Sequence, residues 1–175
     1  DKQIKAKERE YAAQIANVAS ESGYLWPLPG GYNVITSFAG GRIHPVTGKY
    51  GNHAGIDISA PGGTKIYAAM SGVVIHAAKG TGSSWSYGNY VIVSHSNGTN
   101  TLYAHMSRIG CTQGQTVKQG DVIGYVGSTG RSTGNHLHFE VRQGSTRNDP
   151  LNYFKDKALY GRSNGVSRPV WDWMK

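Results

Sequence analysis

From residue 32 onward, apolar and polar positions along the chain alternate with a period of two. The runs "YNVITSF", "KIYAAMSGVVIHAA", "NYVIVSH", "NTLYAHM", "DVIGYVG" and "HLHFEVR" are strand-like and are separated by glycine-rich turns. That is the pattern of short strands with one face in a core. In "SHSNGTNT", Asn97-Gly98 lies between two such runs, a strong hairpin signal. No helical period of useful length interrupts residues 32–150. The pattern therefore predicts an antiparallel all-β sandwich or barrel that ends near "NDPLNYF" at 148–154. Ahead of it, residues 1–22 are rich in Ala, Lys, Glu and Gln, and Ile4, Tyr11, Ile15 and Val18 share one stripe of a helix. Glu8 and Ser22 interrupt the stripe, which reads as a weak seam: the end of an upstream coiled coil, with a coiled-coil partner. Gly23 and "WPLPGG" (26–31) stop the helix, leaving 23–35 as linker and entry strand to a domain over 36–154. Residues 155–175 form a C-terminal extension without a clear period. Within it, Val170, Trp171 and Trp173 are candidates to fold back onto the domain or to join a neighbouring module.

Composition narrows the class. A chain of 175 residues suffices for one domain with a real core plus a short appendage. No run of eighteen apolar residues occurs, so no helical membrane span is predicted. The sequence starts at Asp1 without an apolar leader, and reads as a processed piece whose signal or anchor lies upstream. Lys and Arg outnumber Asp and Glu by 18 to 10, a net charge of +8 that suits an anionic polymer. The basic residues are scattered (Lys5, Lys49, Lys79, Arg108, Arg131, Arg142 and Arg162) and accompany no nucleic-acid motif. An anionic cell-wall polymer fits that pattern, and nucleic acid is not expected. Cys111 is the single cysteine, so no disulfide framework exists within the chain, and its place between Ile109 and Val117 predicts a small buried side chain.

The chemistry-bearing residues sit on the alternating runs. In "TGNHLHFEV" (133–141), His136, His138 and Glu140 share one face, while Leu137, Phe139 and Val141 take the other. In "GNHAGIDIS", read as one strand, His53, Gly55, Asp57 and Ser59 share a face, with Gly55 leaving room for an ion or substrate. In "TLYAHMS", Tyr103 and His105 share a face. Four histidines and an aspartate on one small β domain thus point toward a common surface. Hydrolytic zinc sites use three protein ligands and keep a fourth position for water, and two histidines with one carboxylate is a well-used set. Such a set leaves two histidines free to handle protons.

"HAGID", "APGGTKIYAAMSGVV", "GNYVIVSHSNGTNTLYAHMS" and "VKQGDVIGYVGSTGRSTGNHLHFEVR" together resemble the lysostaphin-type (LytM-type) zinc metalloendopeptidases, almost continuously from Thr36 to Phe154 and in the family's motif order. The resemblance implies the sandwich or half-barrel of that fold, one zinc ion per chain, and hydrolysis of peptide cross-links in bacterial peptidoglycan outside the cytoplasm. It assigns the zinc ligands to His53, Asp57 and His138, and the two non-ligand catalytic histidines to His105 and His136. One of that pair is the general base and the other stabilises the oxyanion or protonates the leaving amine, without a distinction from sequence. "SFAGGRIHP" departs from the family's usual entry to the first motif by an extra small residue before Arg42, which touches the roles of Arg42 and His44. Asn135 stands where the family often has proline.

His44, Trp85 and Tyr87 are candidate substrate-binding residues, the last two as aromatics of an exposed loop "TGSSWSYGN". His76 reads as structural, and His95 as an ordinary polar residue at a hairpin end. The site is expected to lie open in a groove, since a polymer must reach it. A noncatalytic wall-binding or hydrolase-activator module on the same fold is the alternative, favoured by the helical segment and disfavoured by the presence of all five site residues. A lipoyl- or biotinyl-type carrier fails because Ser71 follows Met70 where a modifiable lysine is required. Residues give no choice between D-alanyl–diaminopimelate links and glycine bridges; the lack of a separate wall-targeting module leans toward a D,D-endopeptidase.

Overall fold

The alternating runs do become strands, because each has one face that must leave water. The computed structural model describes residues 2–43, 50–163 and 166–170. Among these, helices α1 (Lys2–Glu10) and α2 (Ala12–Ala16) precede β1 (Val34–Ser37), β2 (Gly40–Ile43), β3 (Tyr50–His53), β4 (Ile56–Ser59), β5 (Lys65–Tyr67) and β6 (Gly72–Lys79). The chain continues through β7 (Asn89–Ser94), β8 (Thr99–Met106), β9 (Arg108–Ile109), β10 (Thr116–Val117) and β11 (Val122–Tyr125). It ends with β12 (His136–Gln143), β13 (Thr146–Asn148), β14 (Tyr160–Ser163) and β15 (Val166–Pro169). Between β7 and β8 the Asn97-Gly98 turn forms as expected, with Gly98 at φ 83°.

The main sheet runs β10-β6-β7-β8-β12-β4-β1-β14-β15, with β13 paired to the second half of β12. A small sheet, β5-β11-β9, packs on it, and β2–β3 form a separate ribbon. The main sheet does not close into a barrel. Ile35, Ile58, Val91, Tyr103, Leu137 and Phe139 from its inner face share one buried cluster with Ile66 and Ile123 of the small sheet. Trp26 and Leu28 of the entry segment are buried in the same cluster, so residues 23–35 fill core as well as link.

Three sequence expectations are corrected. The pairing is not wholly antiparallel: β14 lies parallel to β1, an arrangement that needs a long crossover and has one, since residues 38–159 separate the two strands. The segment without a clear period therefore adds a hairpin to the sheet. Val170 is fully buried there, while Trp171 and Trp173 lie outside the described residues. The helical stripe is not a free seam. Ile4, Tyr11 and Ile15 cover Ile75, Tyr90, Ile92, Leu102 and Ala104 on the outer face of β6–β8, an apolar surface that would otherwise meet water. Asn100 donates to Glu8 Oε1 at 2.7 Å and Gln14 to the Gly114 carbonyl at 2.8 Å, so the polar residues of the helix are also engaged.

His95 is more than a hairpin-end polar residue. It is 1% exposed; its Nδ1–H donates to the Ser71 carbonyl, and its Nε2 accepts from Thr101, each at 2.9 Å. His76 stacks on Tyr90 with centroids 4.0 Å apart. Cys111 is half-buried against the core, and burial pushes its thiol up to about 11.

Candidate functional site

The site stands on the outer face of β12 and its neighbours. Leu137, Phe139 and Val141 are fully buried in the core, so strand alternation turns His136, His138, Glu140 and Arg142 to the opposite face. Asp57 lies directly across from His138 in the β4–β12 register. His53 arrives by another route than the single strand expected: β3 ends at His53, and the chain bends through Ala54 and Gly55 before β4 begins. A Cβ on Gly55 would fall on the Phe139 carbonyl and the Glu140 side chain. The space that glycine leaves is taken by β12, not by a ligand.

His105 reaches this face through a bulge. Alternation along β8 would put it with Tyr103, yet Tyr103 is in the core opposite Phe139. The β7–β8 register slips between Asn89↔Met106 and Val91↔Tyr103, and His105 adopts φ 60°. The extra residue rotates His105 outward. A non-glycine residue in that region costs on the order of 1–3 kcal/mol, and a hydrogen bond from Nδ1–H to the Thr129 carbonyl at 2.7 Å helps hold it.

Three ligand-type atoms form a tight triangle. His53 Nε2 and Asp57 Oδ1 are 3.2 Å apart, His138 Nδ1 and Asp57 Oδ1 2.9 Å, and His53 Nε2 and His138 Nδ1 3.1 Å. A tetrahedral ion with bonds of about 2.0–2.2 Å separates its ligands by roughly 3.3 Å, so the triangle fits a metal ion with little adjustment. The other ring nitrogens are already spoken for. His53 Nδ1 donates to the Phe38 carbonyl at 2.9 Å, and His138 Nε2 to Glu140 Oε1 at 2.8 Å. Each ring thus turns its remaining nitrogen to the triangle, where it meets Asp57 Oδ1.

The electrostatics agree. Burial pushes the Asp57 carboxyl up, but hydrogen bonds from His138 and His53 win and hold it well below the usual range. Burial opposes a cationic His138, yet hydrogen bonds to Asp57 and Glu140 raise it to about 9. Two carboxylates around one imidazole mark a place that favours positive charge.

Glu140 has no exposed surface, and sequence reasoning gave it a face but no role. Its Oε1 also accepts from the Tyr87 hydroxyl at 2.7 Å, and its Oε2 from Arg142 Nε at 2.5 Å. Arg142 donates in turn to the Tyr87 oxygen at 2.8 Å. Burial acts against the Glu140 carboxylate, but His138 and Arg142 keep it ionised. The reading of Tyr87 as an exposed-loop aromatic is therefore corrected: its turn folds inward, and its ring lies 5.8 Å from that of His138. The same-face spacing of His138, Glu140 and Arg142 was the signal available in sequence.

His105 and His136 stand beside the triangle with ring centroids 4.7 Å apart. Burial, then the neighbouring His136, lowers His105 to about 4. His136 Nδ1 donates to the Gly134 carbonyl at 2.8 Å, and its Nε2 is 3.7 Å from Asp57 Oδ1. Both anchoring carbonyls belong to the loop over residues 128–134. Arg131 of that loop bonds through its N–H to Ser86 and lies 5.7 Å over the ring of Trp85, which is 56% exposed. His44 lies outside the described residues. Against expectation the cluster is fairly enclosed: the side chains of His53, Asp57 and His138 are 6–12% accessible, because the rings pack on one another.

All five residues fall inside residues 51–150, the span matched by the model of peptidase family M23. DD-carboxypeptidase/endopeptidase Mpg of Neisseria meningitidis is 44% identical over 129 residues, covering 70% of this chain and 29% of that protein. Peptidoglycan DD-endopeptidase ShyA of Vibrio cholerae is 38% identical over 130 residues, covering 74% and 29%. A crystal structure of a zinc-containing peptidase from Vibrio cholerae superposes with a TM-score of 0.66 at 37% identity, over 73% of this chain and 39% of that one. The chain thus spans about three-tenths of the length of these curated relatives. With more than half of its residues matched by the family model, and the His–Asp–His triangle within the match, the chain belongs to peptidase family M23.

Proposed function

We propose that the chain is a zinc-dependent endopeptidase that cuts peptide cross-links of bacterial peptidoglycan outside the cytoplasm. The observation that carries this reading is the triangle of His53, Asp57 and His138, with two further imidazoles beside it. Those three residues would hold one zinc ion per chain. When bound, zinc supplies Lewis acidity, lowering the pKa of a water toward roughly 7 and polarising the scissile carbonyl. His105 and His136 would share the proton traffic. Their Nδ1–H groups are tied to backbone carbonyls, which leaves each Nε2 with a lone pair for a proton. One removes the proton of the attacking water; the other stabilises the oxyanion or protonates the leaving amine. Trp85, exposed on the adjoining loop, is the candidate wall for a peptide strand. The names of the relatives favour a D,D cross-link as the bond cut. Among the described residues no helix is long and apolar enough to cross a membrane.

The test is digestion of purified peptidoglycan, with fragments read by mass spectrometry. Cross-linked fragments should resolve into monomers, a chelator should stop this, and added zinc should restore it. Cleavage that continues in excess chelator would overturn the metal reading. Binding to peptidoglycan at full zinc content without cleavage would favour the wall-binding alternative.

A further inference from the structure

The outer face of the sheet does not end at the candidate site. Ser59 stands directly across from His136, Ile35 pairs with Ile58, and Val34 and Ile35 pair with Tyr160 and Gly161. Since Ile35 and Ile58 point into the core, Val34, Ser59 and Arg162 lie on the face that carries His136 and Asp57. They line a groove of about 390 Å³ together with Tyr32 and Pro61. Strands lie about 4.8 Å apart, so two strand spacings, roughly 10 Å, separate the β4 part of the site from Arg162 on β14. An extended peptide covers that in about three residues.

The groove holds unused polar groups. Arg162 is exposed, and among the described residues neither its guanidinium nor the Ser59 hydroxyl has a hydrogen-bond or ionic partner. A guanidinium presents a planar fork of donors that matches a carboxylate, and a nearby hydroxyl adds one more donor.

We propose that this groove is a substrate subsite in which Arg162 receives a free carboxylate of the peptide stem, about three residues from the scissile bond. It rests on the endopeptidase reading for its substrate, and on the groove alone for its chemistry. The carboxylate is either the stem's C-terminus or one on a side chain.

The test uses a synthetic stem-type pentapeptide with one side-chain and one C-terminal carboxylate, in three forms: both free, C-terminus amidated, side chain amidated. Each is titrated calorimetrically into the full chain and into Arg162→Gln. Charge-assisted hydrogen bonds of this kind carry about a tenfold effect once the bound peptide covers them. The chain should bind one amidated form about tenfold more weakly than the free form, and that form names the carboxylate. Arg162→Gln should bind all three alike, with an unchanged melting temperature, since residue 162 is exposed. If neither amidation weakens binding to the chain, or if Arg162→Gln discriminates as strongly as the original, the subsite is wrong. Failure of the chain to digest peptidoglycan would count against the endopeptidase reading and leave this titration readable.

Discussion

At the scale of single residues, the candidate site is a matter of which nitrogen each ring has left to give. Glu140 holds His138 Nε2, the Phe38 carbonyl holds His53 Nδ1, and the remaining nitrogens face Asp57. Replacing Glu140 with Gln keeps the shape but removes the charge that orients His138 and neutralises Arg142. Loss of such a supporting partner typically costs 10–100-fold in metal affinity, and an unpaired buried Arg142 costs about 3 kcal/mol. Competition against a chromophoric chelator should show the first effect and chemical denaturation the second; a variant unchanged in both would remove Glu140 from the site. Tyr87→Phe, which loses only the hydroxyl, should cost about 1 kcal/mol. The faces of His136, His138 and Glu140 were legible from two-residue alternation. The role of Glu140 was not, because Tyr87 stands 53 positions away and becomes its partner only when the turn folds inward.

At the scale of elements, alternation misplaces His105, since one extra residue in β8 flips everything beyond it. The helices were misread for a related reason: a stripe of Ile4, Tyr11 and Ile15 does not reveal which surface it covers. The outer face of β6–β8 does, with Ile75, Ile92 and Leu102 each 1% exposed beneath the helices. A chain beginning at Gly23 should uncover part of them. At about 1.5–3 kcal/mol for a fully buried aliphatic side chain, the loss comes to about 3 kcal/mol, or a fall in melting temperature on the order of 10 °C. Calorimetry reads this directly; an unchanged melting temperature would show that the helices add nothing. The β7–β8 hairpin carries a pH dependence of its own. Burial lowers His95 to about 4 from an ordinary value near 6.5, so between these values the unfolded chain binds the extra proton. Stability from this group is therefore complete above about pH 6.5 and lost as pH falls toward 4, by about 3 kcal/mol in all. Urea midpoints at pH 7 and pH 4.5 should differ accordingly, and His95→Asn should reduce the difference; an equal slope in that variant would acquit His95.

At the scale of the molecule, one sheet face carries the helices at the β6–β8 end, the histidine cluster over β12 and β4, and the Arg162 groove beyond β1. The all-β class and the motif order could be read from the sequence, since both follow from local alternation and spacing. The strand order and the parallel β1–β14 pair could not, because they join residues distant in the chain, 81 positions apart for Asp57 and His138 and 126 for Val34 and Tyr160. The proposed function divides the labour among five residues: three would hold the metal and two would move protons. The direct measurement is zinc content alongside turnover for His136→Ala, His138→Ala and His105→Asn, the last chosen because Asn tolerates the left-handed backbone found there. His138→Ala should lose its zinc. The other two should keep about one zinc per chain while turnover falls on the order of 10²–10⁴-fold. Zinc lost from either His136→Ala or His105→Asn, or near-original turnover in both, would contradict that division.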